Sequence, residues 1–236
     1  MELITKKDNK LVFLAKIEDS LVNAIRRFVN EIPIFAIDEI NVSKNDSPLY
    51  DETVAHRVGL IPLKMEKGIK EGEILNLEVK KEGAVVSGDL KGKVKLVYDN
   101  IPITFLNKDQ SMKFEGIVSL GKGITHSKFS SGLIFYRNVC EISLDKNFAE
   151  EIKKVCSNVE VKEKGGKAII LDNKEIEVED VCMGICEKNR KECEVSETGD
   201  VVISVESFGQ LEVKDVFVKS IEELKKGLKS FSKNFK

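Results

Sequence analysis

A chain of 236 residues is long enough to bury a core of its own and to form one large domain or two to three small ones. Its 38 Lys and Arg against 40 Asp and Glu leave a net charge of −2, which excludes a general electrostatic attraction to nucleic acid. No run of about 18 apolar residues exists to span a bilayer as a helix, and the charged start lacks a signal-peptide stretch, so a cytoplasmic protein is expected.

Residues 2–7 and 11–17 alternate around Asp8-Asn9, which predicts a β-hairpin. Asp19 or Ser20 then serves as a helix N-cap. After it, Leu21, Val22, Ile25, Phe28, Val29 and Ile32 recur at helical spacing, with Asn23, Arg26, Arg27 and Asn30 between them. Pro33 ends this helix, and the apolar run 34–37 with Ile40 and Val42 predicts a largely buried strand. Residues 44–48 are turn-rich and mark a boundary. Residues 51–58 predict a short helix with acids in its first turn, stopped at Gly59.

From 74 to 136 the pattern is β, with Leu75, Leu77 and Val79 alternating, then Val94, Leu96 and Tyr98. A third zone from about 148 to 200 holds a Gly165-Gly166 turn and the apolar run 168–171, and 201–205 predicts a strand. The chain closes with a long helix in which Phe217, Ile221, Leu224, Leu228, Phe231 and Phe235 step by four and three residues. Such a stripe packs either on the chain's own sheet or on a partner. Periodicity leaves both open.

His56-Arg57 beside Asp51 and Glu52 has the composition of an acid–base pair. No ordered nucleophile accompanies it, and the next histidine is His126, so no catalytic residue is expected. Five cysteines in a reducing compartment read as thiols or metal ligands before disulfides. Cys140 sits in an apolar run and reads as a core thiol. Cys156, Cys182, Cys186 and Cys193 supply the four sulfurs of a zinc or iron–sulfur site. Their spacing departs from a ferredoxin loop, whose cysteines lie two residues apart, and Ser157 stands where such a loop has proline.

Residues 20–33, Ser-Leu-Val-Asn-Ala-Ile-Arg-Arg-Phe-Val-Asn-Glu-Ile-Pro, followed by Ala36-Ile37-Asp38, resemble the assembly helix of the α-like subunits of multisubunit RNA polymerases. That family comprises the archaeal D-type chain, the eukaryotic third-largest subunit and bacterial alpha. Residues 49–63, Leu-Tyr-Asp-Glu-Thr-Val-Ala-His-Arg-Val-Gly-Leu-Ile-Pro-Leu, are similar to the family's second signature. Residues 121–129, Gly-Lys-Gly-Ile-Thr-His-Ser-Lys-Phe, with Tyr136-Arg137, resemble a block near the end of its inserted domain.

The resemblance implies an α+β fold in three parts. Residues 1–45 plus 201–236 would form a discontinuous dimerisation domain, a small sheet with two helices. Residues 46–147 would be an inserted, mostly antiparallel β domain, and 148–200 a degenerate ferredoxin-like insert. It further implies a non-catalytic assembly platform that pairs with a small L-type subunit and recruits the large catalytic subunits, alongside small assembly subunits. DNA would be met only through the complex, and no membrane is involved.

The partner interface implied comprises Leu21, Ile25, Arg26, Arg27 and Phe28 on the first helix, and Asp51, Glu52, His56 and Arg57 in the second block. Phe217, Ile221, Leu224, Leu228 and Phe231 would contribute from the last helix. Mid-helix arginines are solvated by default; here they would offer forked donors to a partner. Some archaeal inserts at the cysteine zone hold a cluster and others do not. No cofactor is expected in this one, with an iron–sulfur cluster or zinc as the alternative and a disulfide also open. The zinc loop of some eukaryotic relatives would follow Leu63, where no cysteine occurs. Two rival readings are a ferredoxin-like electron carrier, which leaves the first 140 residues unexplained, and a nucleic-acid-binding module, which the charge balance disfavours.

Overall fold

The hairpin read from the alternation around Asp8-Asn9 forms as β1 (Glu2–Lys7) and β2 (Lys10–Ala15), paired from Lys7 with Lys10 to Glu2 with Leu14. The structure, a computed structural model, describes residues 1–156, 159–172 and 178–234. Ser157 and Phe235 lie outside the described residues. Helix α1 (Asp19–Phe28) starts one residue earlier than a cap at Asp19 implies and two earlier than one at Ser20. The carbonyl of Glu18 accepts its first amide bonds, from Leu21 at 2.9 Å and Val22 at 3.1 Å, so Asp19 and Ser20 are already helical. Asp19 instead accepts the Asn138 side-chain amide at 3.1 Å.

One 3-10 turn (Val29–Glu31) leads to β3 (Pro33–Asn45), longer than the apolar run that predicts it. Helix α2 (Asp51–Gly59) carries Asp51 and Glu52 in its first turn and His56 and Arg57 in its last, charges that complement its dipole. The β region follows as β4 (Ile74–Val79), β5 (Gly83–Val86), β6 (Lys91–Gly92), β7 (Pro102–Leu106), β8 (Met112–Lys122) and β9 (Gly132–Asp145). Helix α3 (Ala149–Val155) precedes the hairpin of β10 (Val161–Lys164) and β11 (Lys167–Leu171). Then come α4 (Glu179–Lys188), β12 (Glu194–Ser207) and α5 (Val213–Lys233).

The fold is α+β with mostly antiparallel sheets. It divides into two units, residues 1–23 with 134–204 and residues 24–133 with 205–236. The first unit is built on a six-stranded sheet in the order β1-β2-β12-β9-β11-β10. Ile142, Leu144, Ala168 and Ile170 on β9 and β11 bury against Ile152 of α3 and Ile185 of α4. Within this unit the Arg137 guanidinium is ion-paired with Asp172, whose side chain is 1% exposed.

The second unit holds the four-stranded sheet β3-β8-β4-β6 and the separate pair β5-β7. Val54 and Val58 of α2, with Ile61 and Leu63 after it, sit in one core with Leu75, Leu77, Ile103, Phe114 and Val118. The burial of alternate residues on β4 and β8 is the half-buried pattern the sequence displays. Among the described residues, no helix is long and apolar enough to cross a membrane.

Candidate partner-docking site

Three sequence blocks far apart in the chain meet on one surface of the second unit. Strand β3 runs against β8 from Pro33 opposite Lys122 to Asn45 opposite Met112, with a register shift between Ile37 and Glu39. Asp38 is the extra residue there, and a bulge re-aims its side chain out of the ladder. Asp38 pairs with Lys128, which follows β8 in the 3-10 turn Ser127–Phe129. The Lys128 ammonium also lies 3.4 Å from the Asp38 carbonyl oxygen and 5.3 Å from the centre of the Phe129 ring.

The turn is seated by Phe129, 6% exposed, over a position where only glycine fits. A Cβ on Gly121 would stand 2.6 Å from that ring. At the other wall, the end of α2 comes close to β3: a Cβ on Gly59 would lie 3.3 Å from the Ile37 carbonyl oxygen. A small cavity of about 180 Å³ results, lined by Ile37, Asp38, Ala55, His56, Gly59, Leu60, His126 and Lys128. Both histidines of the chain are therefore in one pocket. His126 Nδ1 accepts the Lys128 backbone N–H at 3.1 Å.

The other residues of the expected interface are placed as follows. Arg57 donates to the Ile103 carbonyl of β7 at 2.9 Å, and Asp51 accepts the Asn45 side-chain amide at 2.7 Å, so both also tie α2 to its own unit. Glu52 and His56 are exposed. On α1, Arg26 and Arg27 are exposed, Leu21 is exposed, Phe28 is half-buried and Ile25 is buried. On α5, Leu224 is buried, Phe217 and Ile221 are half-buried, and Leu228 and Phe231 are 60% and 63% exposed. A Cβ on Gly227 would lie 3.1 Å from the Phe28 ring, so α5 crosses the end of α1 at this glycine.

Residues 39–149 match the family model of the RNA polymerase Rpb3/RpoA insert domain. The chain is 31% identical to the DNA-directed RNA polymerase subunit Rpo3 of Pyrococcus furiosus, over 92% of this chain and 89% of that protein. The chain belongs to the Rpo3 family. It is a subunit of DNA-directed RNA polymerase. The Rpo3 of Thermococcus kodakarensis is 30% identical over 91% of this chain and 89% of its own length. That of Methanocaldococcus jannaschii is 36% identical over 58% of this chain and 73% of its own.

The insert-domain match covers α2, His126 and Lys128, while Asp38, Arg26 and Arg27 precede it. The cysteine zone of this Rpo3-family chain lies beyond it. Cys182 and Cys186 stand one turn apart on α4, Cys156 follows α3, and Cys193 precedes β12. All four pack in one apolar cluster, Cys193 at its partly buried edge. Burial pushes the Cys182 thiol up to about 12, helped by Cys156, Cys186 and Cys193 beside it. Burial pushes Cys186 up to about 11, reinforced by its contact with Cys193. Burial of this cluster favours the protonated thiols. Among the described residues, no three His, Cys, Asp or Glu side chains are arranged to hold a metal ion.

Asp38, His126 and Lys128 have no role that sequence patterning alone assigns. The available signal was their presence in the first and third blocks of resemblance.

Proposed function

We propose that this chain is the assembly platform of its polymerase, acting in the cytoplasm with no catalytic residue of its own. It pairs with a small L-type subunit through α1 and α5, which belong to a discontinuous dimerisation domain. It then recruits the large catalytic subunits through Arg26, Arg27 and the 49–63 block, and meets DNA only through the complex. The observation that carries this reading is the end of α5. Residues 225–234 are all exposed, yet they carry Leu228 and Phe231. Helix stripes of that kind are covered by another chain when an obligate partner exists. A stable pair would bury about 1,600 Å² or more.

Co-expression with the small subunit, followed by size-exclusion chromatography with light scattering, tests the pairing. A 1:1 complex is expected, and Leu228→Asp with Phe231→Asp is expected to abolish it while the chain stays folded. Leu224 is unsuitable for this purpose because the chain itself buries it. Normal pairing by the double variant would overturn the interface.

The cysteine unit acts on this reading without a cofactor, its sulfurs filling the core. Metal analysis of the same fraction tests that reading. Stoichiometric iron or zinc would replace it with a cluster or zinc site on Cys156, Cys182, Cys186 and Cys193.

A further inference from the structure

We infer that the cavity between α2 and the turn after β8 is a receptor for one carboxylate side chain, an Asp or Glu of a large polymerase subunit. The inference rests on the assembly reading and adds the chemistry of one contact. Its residues come from all three blocks: Asp38, His56 with Gly59, and His126 with Lys128.

The hydrogen bonding determines what the cavity offers. His126 Nδ1 is occupied as an acceptor by the Lys128 amide. The proton of the neutral ring therefore sits on Nε2, and this nitrogen is a donor. His56, exposed, lines the same cavity. Lys128 neutralises Asp38, so the wall carries no unbalanced negative charge to repel an incoming anion.

A cation fits poorly. Binding one at His126 Nε2 would move the ring proton to Nδ1 and break the bond to the Lys128 amide, and Asp38 is already held by an ammonium. A nucleic-acid phosphate fits poorly too. The cavity is only about 180 Å³, and the chain has no excess of basic residues to track a phosphate backbone. Leu60, 46% exposed, lines the same cavity, and Ile124, 66% exposed, lies two residues before His126. Exposed apolar residues next to a recessed polar pocket suit a protein surface that anchors one acidic side chain.

Two measurements test this. In the first, the wild-type heterodimer and a His56→Glu/His126→Glu heterodimer are compared for capture of the purified large subunits. The variant is expected to keep the small subunit and its thermal midpoint while capturing a large subunit at least tenfold more weakly. An Asp or Glu to Lys change in that large subunit should restore capture. Capture at wild-type strength by the variant would overturn the proposal and leave the assembly reading standing. Failure of the wild-type heterodimer to capture any large subunit would remove the assembly reading, and with it the assigned partner.

The second measurement follows the imidazole nitrogens by NMR during titration with sodium acetate against sodium chloride at constant ionic strength. With two histidines in the chain, two ring systems are seen. Saturable shifts with acetate alone are expected whether or not the large subunits bind. Shifts indistinguishable from those in chloride would overturn the carboxylate chemistry. Stronger, histidine-dependent binding of zinc or of duplex DNA would overturn it in favour of a cation or phosphate site.

Discussion

The Lys128 ammonium closes on the carboxylate of Asp38, 90 residues earlier in the chain, and pins the turn after β8 to the bulge in β3. The Lys128 side chain is 15% exposed and that of Asp38 38%, so the pair is only partly screened by water.

A double-mutant cycle with Lys128→Met and Asp38→Asn should therefore give a coupling of about 1 kcal/mol, at the upper end for surface pairs. Denaturant unfolding measures it, and the coupling should shrink in about 1 M salt, where the Debye length is about 3 Å. Strict additivity would mean that the pair holds nothing in place.

Gly121 is expected to resist even the smallest side chain. Its Cβ would stand 2.6 Å from a Phe129 ring that is itself buried. Gly121→Ala should cost about 1–3 kcal/mol through overpacking and disturb the NMR signal of His126. A variant as stable as wild type, with that signal unmoved, would show that Phe129 does not position the turn.

Arg137→Met removes an ion partner of the buried Asp172 carboxylate, which also accepts the Val178 backbone N–H at 3.1 Å. The expected loss is about 3–5 kcal/mol, the range for removing one member of a buried ion pair. Arg137→Met with Asp172→Leu should recover much of it, since both members of the pair are then apolar. Unfolding midpoints of both variants settle the comparison.

The cysteine unit should be alkali-sensitive. The Cys182 thiol is raised from 9.0 to about 12 and Cys186 from 9.0 to about 11, so the folded state binds these protons more tightly than the unfolded chain. Stability from this source is complete below pH 9.0 and is lost as pH rises through the folded values of about 11 and about 12. Unfolding followed between pH 8 and pH 11 should show the decline, and Cys182→Ala should flatten it. Alkylation of the folded chain should also reach half-buried Cys193 before Cys182, which is fully buried.

Much of this protein was determined locally and was legible in its sequence. The β1–β2 hairpin, the limits of α2 and the run of α5 follow from periodicity, turn residues and first-turn acids, all interactions within a few residues of chain. Family membership was legible too, because blocks 20–33, 49–63 and 121–129 kept their order.

Tertiary structure decided the rest. Asp19 looks like a cap in sequence but is already helical, since the Glu18 carbonyl accepts the first amide bonds, and its carboxylate accepts the side-chain amide of Asn138, 119 residues on. Leu224 and Leu228 are equivalent in the stripe, yet one is buried and the other 60% exposed, since α5 crosses the end of α1 at Gly227 between them. Strand β9 from mid-chain lies between β12 and β11, a pairing no local pattern encodes. His56 and His126 share a cavity because the β3–β8 register and the close approach at Gly59 bring their elements together. Spacing along a chain reports the face of an element on which a residue lies. Which distant element meets that face depends on strand register and packing, and those exist only once the chain has folded.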